Sequence, residues 1–295
     1  MTAIAMLCWG GAYVPSAWML DGLPPPAAAG LRLGLAGAAL LGFARATGRS
    51  LRPGAPWPAV AWLGLTQTAV FYGATYWGIA HETAGLAAVI ANTDALFVAV
   101  LGWLLLGEKL ALRQWVGIAL GFAGAALAGS PEALAPRLST AAVVLLAGAA
   151  SWGFGTITAT RHLRGDGSPL ALAGWQMVAG AGMLAAVTPL AGGEYHVDAR
   201  LAAITVGVAL VGSAAPLALF YAALRTGPAG ELSALFFLVP VVGVLTAWPL
   251  LGERPHAGLV VGLAAVCAGL VMVLWRPRGG RLVASPESHA DPDAG

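Results

Sequence analysis

The chain has 295 residues, of which 59% are hydrophobic and 9% are charged, and its formal net charge is +2. An average soluble domain carries roughly 25% charged residues, and a single soluble core could not bury this much apolar surface. The small net charge argues against a nucleic-acid partner. The two cysteines, Cys8 and Cys267, lie within apolar segments, so neither a disulfide nor a metal site is expected.

Apolar segments long enough to cross a hydrocarbon core of roughly 30 Å recur along the chain. Proline and glycine clusters such as Pro24–Pro26 and Gly192–Gly193 separate them. Ten spans are predicted, at residues 2–20, 26–44, 57–80, 84–106, 113–130, 139–160, 169–190, 200–222, 229–251 and 257–275. The sequence therefore predicts an all-α polytopic membrane protein with ten transmembrane helices, in which the short loops make neighbouring spans antiparallel.

The basic residues predict the orientation of the spans. If the N-terminus is cytoplasmic, eleven basic residues lie on the cytoplasmic side, namely Arg45, Arg49, Arg52, Lys109, Arg113, Arg161, Arg164, Arg225, Arg276, Arg278 and Arg281. The opposite side holds three, namely Arg137, Arg200 and Arg254. This asymmetry follows the positive-inside rule, so both termini are expected in the cytoplasm. The polar segment 276–295 is expected to be a disordered cytoplasmic tail. Fourteen arginines against one lysine favour a GC-rich bacterial source and hence the bacterial inner membrane.

The segment from Tyr76 to Glu108 recurs 145 positions later, from Tyr221 to Glu253, without a gap. Each half of the chain holds five spans, an odd number, so the two halves must enter the membrane in opposite directions. The sequence therefore predicts two inverted five-helix repeats, residues 1–130 and 139–275, around a central cavity. Such repeats are typical of secondary transporters that work by alternating access.

Several short motifs occur in register in both halves. They are Trp9-Gly10 with Trp152-Gly153, and the Leu-Leu-Gly-Glu sequences 105–108 and 250–253; the first half also has Pro26 to Arg32 and Ala84 to Ala88. Through these motifs the chain resembles the drug/metabolite transporter (DMT) superfamily, specifically the EamA-type ten-helix transporters. One departure is that Pro240 of the second half is replaced by Ala95 in the first, so the two halves need not kink alike.

The resemblance implies export or exchange of small metabolites, often amino acids, through a central cavity. Spans 1, 3, 4, 6, 8 and 9 would line this cavity, and spans 5 and 10 would be peripheral. The YddG-type amino-acid exporters are the subgroup to test first. The expected partners are a small-molecule substrate and membrane lipids, with protons as a candidate coupling ion and no cofactor.

Asp94 lies near the middle of the fourth span, where a carboxylate costs a few kcal/mol unless it is paired, protonated or hydrated. It is interpreted as a substrate-amine or proton site. The alternative is a structural ion pair, for which Arg32 is the candidate partner, or a polar plug. Asn92, a further candidate, lies about 200° away on an unbroken helix, so the two are expected on different faces. Arg32 itself either attracts a substrate carboxylate or extends outward to the membrane surface and pairs structurally.

Aromatic residues form a second group of candidates on the spans assigned to the cavity, namely Trp9, Tyr13, Tyr72, Tyr76, Trp152 and Tyr221. Trp9 and Tyr13 are four residues apart, as are Tyr72 and Tyr76, so each pair shares a helix face. Such faces could hold an ammonium group by cation–π attraction, and helix packing is the alternative. Trp175 and Gln176 are expected either to recognise polar substrate groups or to pack.

Two further patterns, glutamates at span ends and glycines spaced by four residues, are assigned structural roles. Glu108 and Glu253, beside basic neighbours at span ends, are interpreted as anchors or gate latches rather than ligands. Glycine pairs spaced by four at 30–34, 117–121 and 258–262 predict close helix approach. In spans 5 and 10 we expect them to pack the scaffold of each half, and a monomer is favoured over a homodimer.

Competing functional classes are less well supported. The sequence has no G-x-x-x-x-G-K-[ST] phosphate loop, so an ion gradient or the gradient of the substrate itself would drive transport. A drug or a nucleotide-sugar-like metabolite is the alternative substrate. An intramembrane enzyme would need paired carboxylates, a metal-spaced histidine cluster or a Ser/His couple. Only Asp94 lies well within a span, so an enzyme is not predicted.

Overall fold

A computed structural model describes residues 2–107, 109–128, 139–162, 168–226 and 238–274. All regular structure in these ranges is helical, and the helices agree with the predicted spans to within a few residues where they are described. Residues 229–237 of the predicted ninth span lie outside the described ranges. The first half contains α1 (Thr2–Gly11 and Tyr13–Met19), α2 (Pro25–Ala46), α3 (Trp57–Leu63, Gly64–Val70 and Phe71–His81), α4 (Ala84–Ala91 and Asp94–Leu106) and α5 (Leu112–Ala128). The second half contains α6 (Thr140–His162), α7 (Pro169–Ala191), α8 (Ala199–Ala209, Leu210–Ala214 and Ala215–Thr226), α9 (Leu238–Leu251) and α10 (Ala257–Leu274). The predicted tail and Glu108 lie outside the described residues.

Five of the described helices are long and apolar enough to cross a bilayer. By length and composition these are α2, α4, α6, α7 and α8, with mean hydropathies of 1.6 to 2.0. The remaining apolar helices α5, α9 and α10 are shorter as described. The all-α prediction is confirmed, whereas the number of membrane crossings and the inverted relation of the halves stay predictions.

Two helices of the first half are interrupted, each for a local chemical reason. In α1 the helix breaks at Ala12, because Pro15 has no amide hydrogen to offer the carbonyl of Gly11 and its ring crowds that carbonyl. In α4 the break falls at Asn92 and Thr93, where no proline occurs. The side-chain amide nitrogen of Asn92 donates to the carbonyl oxygen of Ala88 at 2.7 Å and so competes with the backbone hydrogen bonds of the helix.

The third helix of each half contains a wide, π-helical turn. These turns are Gly64–Val70 in α3 and Leu210–Ala214 in α8. Residue 65 corresponds to residue 210 under the 145-residue offset, so the two turns occupy matching places in the repeat. The first packs against α7 and the second against α2. Because such turns free backbone groups from regular pairing, they are frequent at functional sites.

The helix contacts between the halves occur largely in matching pairs. In such a pair, a helix of the first half contacts a helix of the second, and the two corresponding helices of the opposite halves are also in contact. The contact of α1 with α8 matches that of α6 with α3, and the contact of α4 with α6 matches that of α9 with α1. The pairs α2–α7 and α5–α10 each join two corresponding helices. The halves are therefore interleaved, since each of the described helices α1 to α10 contacts at least one helix of the other half.

The glycines of α5 and α10 differ in role from the prediction. A Cβ on Gly117 would lie 2.8 Å from the carbonyl oxygen of Gly269, and one on Gly124 would lie 2.8 Å from that of Gly262. The two helices thus meet backbone to backbone, across the halves rather than within each one. The prediction that these glycines pack each half separately was wrong for Gly117 and Gly262, because the periodicity marks a small-residue face without naming the helix that covers it. A Cβ on Gly121, by contrast, would lie against the Leu96 side chain of its own half.

Candidate functional site

A pocket lies where the two halves meet, close to the breaks in α1 and α4. It is lined by Trp9, Ala12, Tyr13, Ser16, Arg32, Phe71, Tyr72, Thr75, Ile79, Asn92, Asp94, Trp152 and Val239. The lining is mostly apolar and aromatic, with a few polar groups, which is the usual composition of a small-molecule site. Residues of both halves contribute, so a change in how the halves pack would change the pocket.

Asp94 is the acidic group of this pocket. It is the first residue of the second segment of α4, where the helix N-terminus favours a negative charge. The side chain is 6% exposed, and among the described residues its Oδ1 has no hydrogen-bond partner. No ion pair with Arg32 is formed in the described part of the chain, so the alternative of a structural Asp94–Arg32 pair was wrong. A buried carboxylate oxygen therefore remains available to a ligand.

Arg32 is held by groups from three other helices. Its Nε donates to Ser213 Oγ at 2.6 Å, its Nη1 to Ser16 Oγ at 2.9 Å, and its Nη2 to the carbonyl of Gly212 at 2.7 Å. The guanidinium carbon also lies 5.0 Å from the ring centroid of Tyr72, within cation–π range. The arginine therefore provides a fixed positive charge at one side of the pocket and does not extend to the membrane surface.

Aromatic rings form much of the pocket wall. The ring centroids of Phe71 and Trp152 are 4.7 Å apart, and those of Phe71 and Tyr72 are 5.2 Å apart at right angles. Trp9 meets Phe220 of α8 edge to face at 5.7 Å. These contacts join α1, α3, α6 and α8, so the wall depends on both halves.

Most of the residues predicted from the sequence meet in this pocket. The residues that line it are Trp9, Tyr13, Arg32, Tyr72, Asn92, Asp94 and Trp152. Tyr76 lies behind this layer, fully buried, and its hydroxyl donates to Met19 Sδ and accepts from Arg32 Nη1 at 3.5 Å. The two aromatic pairs spaced by four residues therefore differ. Trp9 and Tyr13 both line the pocket, whereas Tyr72 lines it and Tyr76 does not.

The other predicted residues lie elsewhere. The Trp175 indole donates to the carbonyl of Leu51 at 2.9 Å and packs edge to face on Trp57, so it joins α7 to the α2–α3 connection. Gln176 is 1% exposed, and its backbone carbonyl lies against Gly64 in the π-helical turn of α3. Neither residue lines the pocket. Tyr221 lies in α8, and its side chain lies outside the described part of the structure.

The structure differs from the sequence analysis on Asn92 and Asp94. An unbroken helix would place them on different faces, yet both line the pocket. The break at Asn92 and Thr93 removes the regular 100° step between them. Thr93 Oγ1 donates to the carbonyl of Ile90 at 2.8 Å and stabilises this geometry, and Asn92 Nδ2 also donates to the Tyr13 hydroxyl at 3.4 Å.

Six lining residues were missed by the sequence analysis, namely Ala12, Ser16, Phe71, Thr75, Ile79 and Val239. Ser16 follows Trp9 and Tyr13 at positions i+7 and i+3, so the helical period could have identified it. Thr75 similarly lies three residues after Tyr72, on the same face. Phe71 has no such signal, because its position depends on the wide turn that precedes it.

Comparison with known proteins identifies the family. The sequence model of the EamA-like transporter family matches residues 1–130 and 139–275. The chain belongs to the EamA-like transporter family. It is therefore a multi-pass membrane protein of the DMT superfamily, as its motifs indicated, and the family indicates a transporter of small molecules.

Two similar sequences and one solved structure illustrate the relationship. A "probable terminal-alkyne amino-acid exporter" of Streptantibioticus cattleyicolor is 30% identical over 290 residues, which cover 96% of this chain and 95% of that protein. The inner membrane transporter YedA of Escherichia coli K12, described as uncharacterized, is 30% identical over 90% of this chain and 87% of its own. A solved crystal structure covers 92% of this chain and 94% of its own with a TM-score of 0.69 and 18% identity, and it shows the fold alone.

Proposed function

We propose that this EamA-like protein is a secondary transporter that exports or exchanges amino acids, including aromatic ones, across the bacterial inner membrane. The substrate binds in the pocket between the halves, and the protein performs no chemical reaction on it. Both termini lie in the cytoplasm. Residues 1–130 and 139–275 act as inverted five-helix units that rock against each other.

The observation that carries the proposal is the unpartnered Asp94 oxygen in an aromatic-walled pocket. A buried carboxylate is costly without a partner, and an ammonium group satisfies it by a charge-assisted hydrogen bond. The rings of Phe71, Tyr72 and Trp152 supply the apolar contact that an aromatic side chain needs. An α-amino acid with an aromatic side chain combines both groups.

The position of Arg32 supports a substrate that also carries a carboxylate. The guanidinium borders the same pocket as Asp94 but is tied to helices α1, α3 and α8. Its positive charge has no acidic partner within the described residues. A zwitterion could therefore face Asp94 with its ammonium group and Arg32 with its carboxylate, without displacing either residue from the helices that hold it.

The interleaved helix contacts support the alternating-access part of the proposal. Corresponding helices of the two halves make matching contacts, as expected when one packing can convert into the counterpart that a pseudo-two-fold axis relates to it. The relative described as an amino-acid exporter supports the substrate class, and the relative described as an inner membrane transporter supports the location.

The proposal is tested by uptake into proteoliposomes containing the purified protein and a panel of labelled amino acids, with and without a pH gradient. We expect uptake of aromatic amino acids in exchange for the same unlabelled compound inside. Uptake that increases with the pH gradient would identify protons as the coupling ion. If no amino acid is taken up and a drug or nucleotide sugar is, the amino-acid assignment is wrong and the alternative substrate class is correct.

A further inference from the structure

The connection between α9 and α10 reaches back to the beginning of α4. Glu253 Oε1 accepts a hydrogen bond from the Ala84 amide at 2.7 Å, and its Oε2 accepts one from the Gly85 amide at 2.9 Å. The partners are 169 and 168 residues apart in sequence. This bidentate contact therefore joins the second half of the chain to the first.

The contact completes the cap of α4. The Thr83 side chain accepts from the Leu86 amide at 3.1 Å, so Glu253 supplies the acceptors for the two amides that Thr83 leaves unpaired. The carboxylate also lies at the positive end of the helix dipole. A Cβ on Gly85 would approach Glu253 Oε2 to 3.3 Å, so glycine gives this oxygen room to sit against the backbone.

The capped segment leads directly to the pocket. Ala84–Ala91 is eight residues long, and all eight are buried. It is thus a rigid rod of about 12 Å with Glu253 at one end and the Asn92–Thr93 break at the other. It packs along α9 and also contacts α6. Any movement of its capped end relative to α9 must therefore shift Asn92 in the pocket.

We propose that Glu253 is a positioning residue of the transport cycle, which fastens α4 to the α9–α10 connection and keeps the pocket closed at that end. This end, called the Glu253 end, carries residues 82–84 and 252–256 and is predicted to face the exterior. Opening of the pocket towards the Glu253 end requires both hydrogen bonds to break. The inference rests on the proposed transport function, because only a transporter must open the pocket to that side.

The test measures access to the pocket rather than transport. Thr75, which lines the pocket, is replaced by cysteine in a background with Cys8→Ala and Cys267→Ala. A small membrane-impermeant methanethiosulfonate reagent is then applied to vesicles of each orientation. We expect Glu253→Ala to raise the labelling rate from the Glu253 end by about tenfold, the factor associated with losing a hydrogen bond to a charged group. Labelling from the opposite end should not increase.

Two further variants separate gating from simple helix capping. Glu253→Gln keeps one good acceptor and should give an intermediate rate, and Gly85→Ala should raise the rate by crowding Oε2 without changing the charge. Glu82→Gln is the matched control, because it removes an exposed negative charge from the α3–α4 turn at the same end. The labelling rate of this variant should equal that of the parent. Unchanged labelling in Glu253→Ala, or an equal rise from both ends, would overturn the inference and leave Glu253 a stabilising cap. Since no substrate is present, failure of the amino-acid proposal would not alter this measurement.

Discussion

Arg32 Nη2 donates a hydrogen bond to the carbonyl oxygen of Gly212 at 2.7 Å, and this joins α2 of the first half to α8 of the second. The carbonyl is available because Pro216, four residues later, has no amide hydrogen to donate to it. The adjacent Ser213 hydroxyl accepts from Arg32 Nε at 2.6 Å. The wide turn of α8 is therefore organised around the arginine.

Replacement of Arg32 by lysine should destabilise the protein although the charge is retained. Lysine presents a compact ammonium group and cannot bind Ser16, Ser213 and Gly212 with the fixed geometry of a guanidinium. We expect a loss of about 2 kcal/mol, since hydrogen bonds to charged groups contribute roughly 1.5–3 kcal/mol each. Thermal unfolding in detergent should show a lower Tm for Arg32→Lys. The exposed Arg45 provides the control, and equal Tm values for Arg32→Lys and Arg45→Lys would contradict the structural role of Arg32.

Gly262→Ala should separate α10 from α5. The added methyl would lie 2.5 Å from the carbonyl oxygen of Gly124, a distance that forces the backbones apart. Overpacking of this kind costs about 1–3 kcal/mol, measured as a lower Tm. Gly42→Ala is the matched control, because a Cβ there would meet no atom within 4 Å. That variant should be neutral or more stable by up to about 1 kcal/mol. A neutral Gly262→Ala would show that the two helices are not in backbone contact.

Trp152→Ala should change substrate preference more than turnover. Trp152 packs against Phe71 and Tyr72 in the pocket wall, and an aromatic contact contributes roughly 0.5–1.5 kcal/mol beyond its buried area. The KM for an aromatic amino acid should therefore rise by up to about tenfold, with a smaller change for alanine. Trp248→Ala removes the same side chain from a position that is 53% exposed and should leave both values unchanged. A parallel rise for aromatic substrates and alanine would indicate a general packing defect.

The sequence predicted the spans well because their length and apolar composition are local properties. Trp9, Tyr13 and Trp152 could be assigned to the pocket because the family resemblance implies that their spans line the cavity, and helical spacing places Trp9 and Tyr13 on one face. The sequence could not predict the break in α4, where Asn92 and Thr93 replace backbone bonds with side-chain bonds and no proline or glycine marks the site. It also could not show that Trp175 pairs with Leu51 and Trp57, since such long-range contacts depend on the packing of α7 against α2 and α3.

The role of Asp94 is tested most directly by substrate exchange in the Asp94→Asn variant. The amide has nearly the shape of the carboxylate but no negative charge with which to hold an ammonium group. The variant should insert into the membrane as the wild-type protein does and unfold at the same temperature. The exposed Asp21 supplies the control variant Asp21→Asn. The deciding measurement is the exchange rate of a labelled aromatic amino acid in proteoliposomes. We predict that Asp94→Asn lowers this rate at least about tenfold while Asp21→Asn does not, and wild-type exchange in Asp94→Asn would contradict the assignment of Asp94 as the ammonium site.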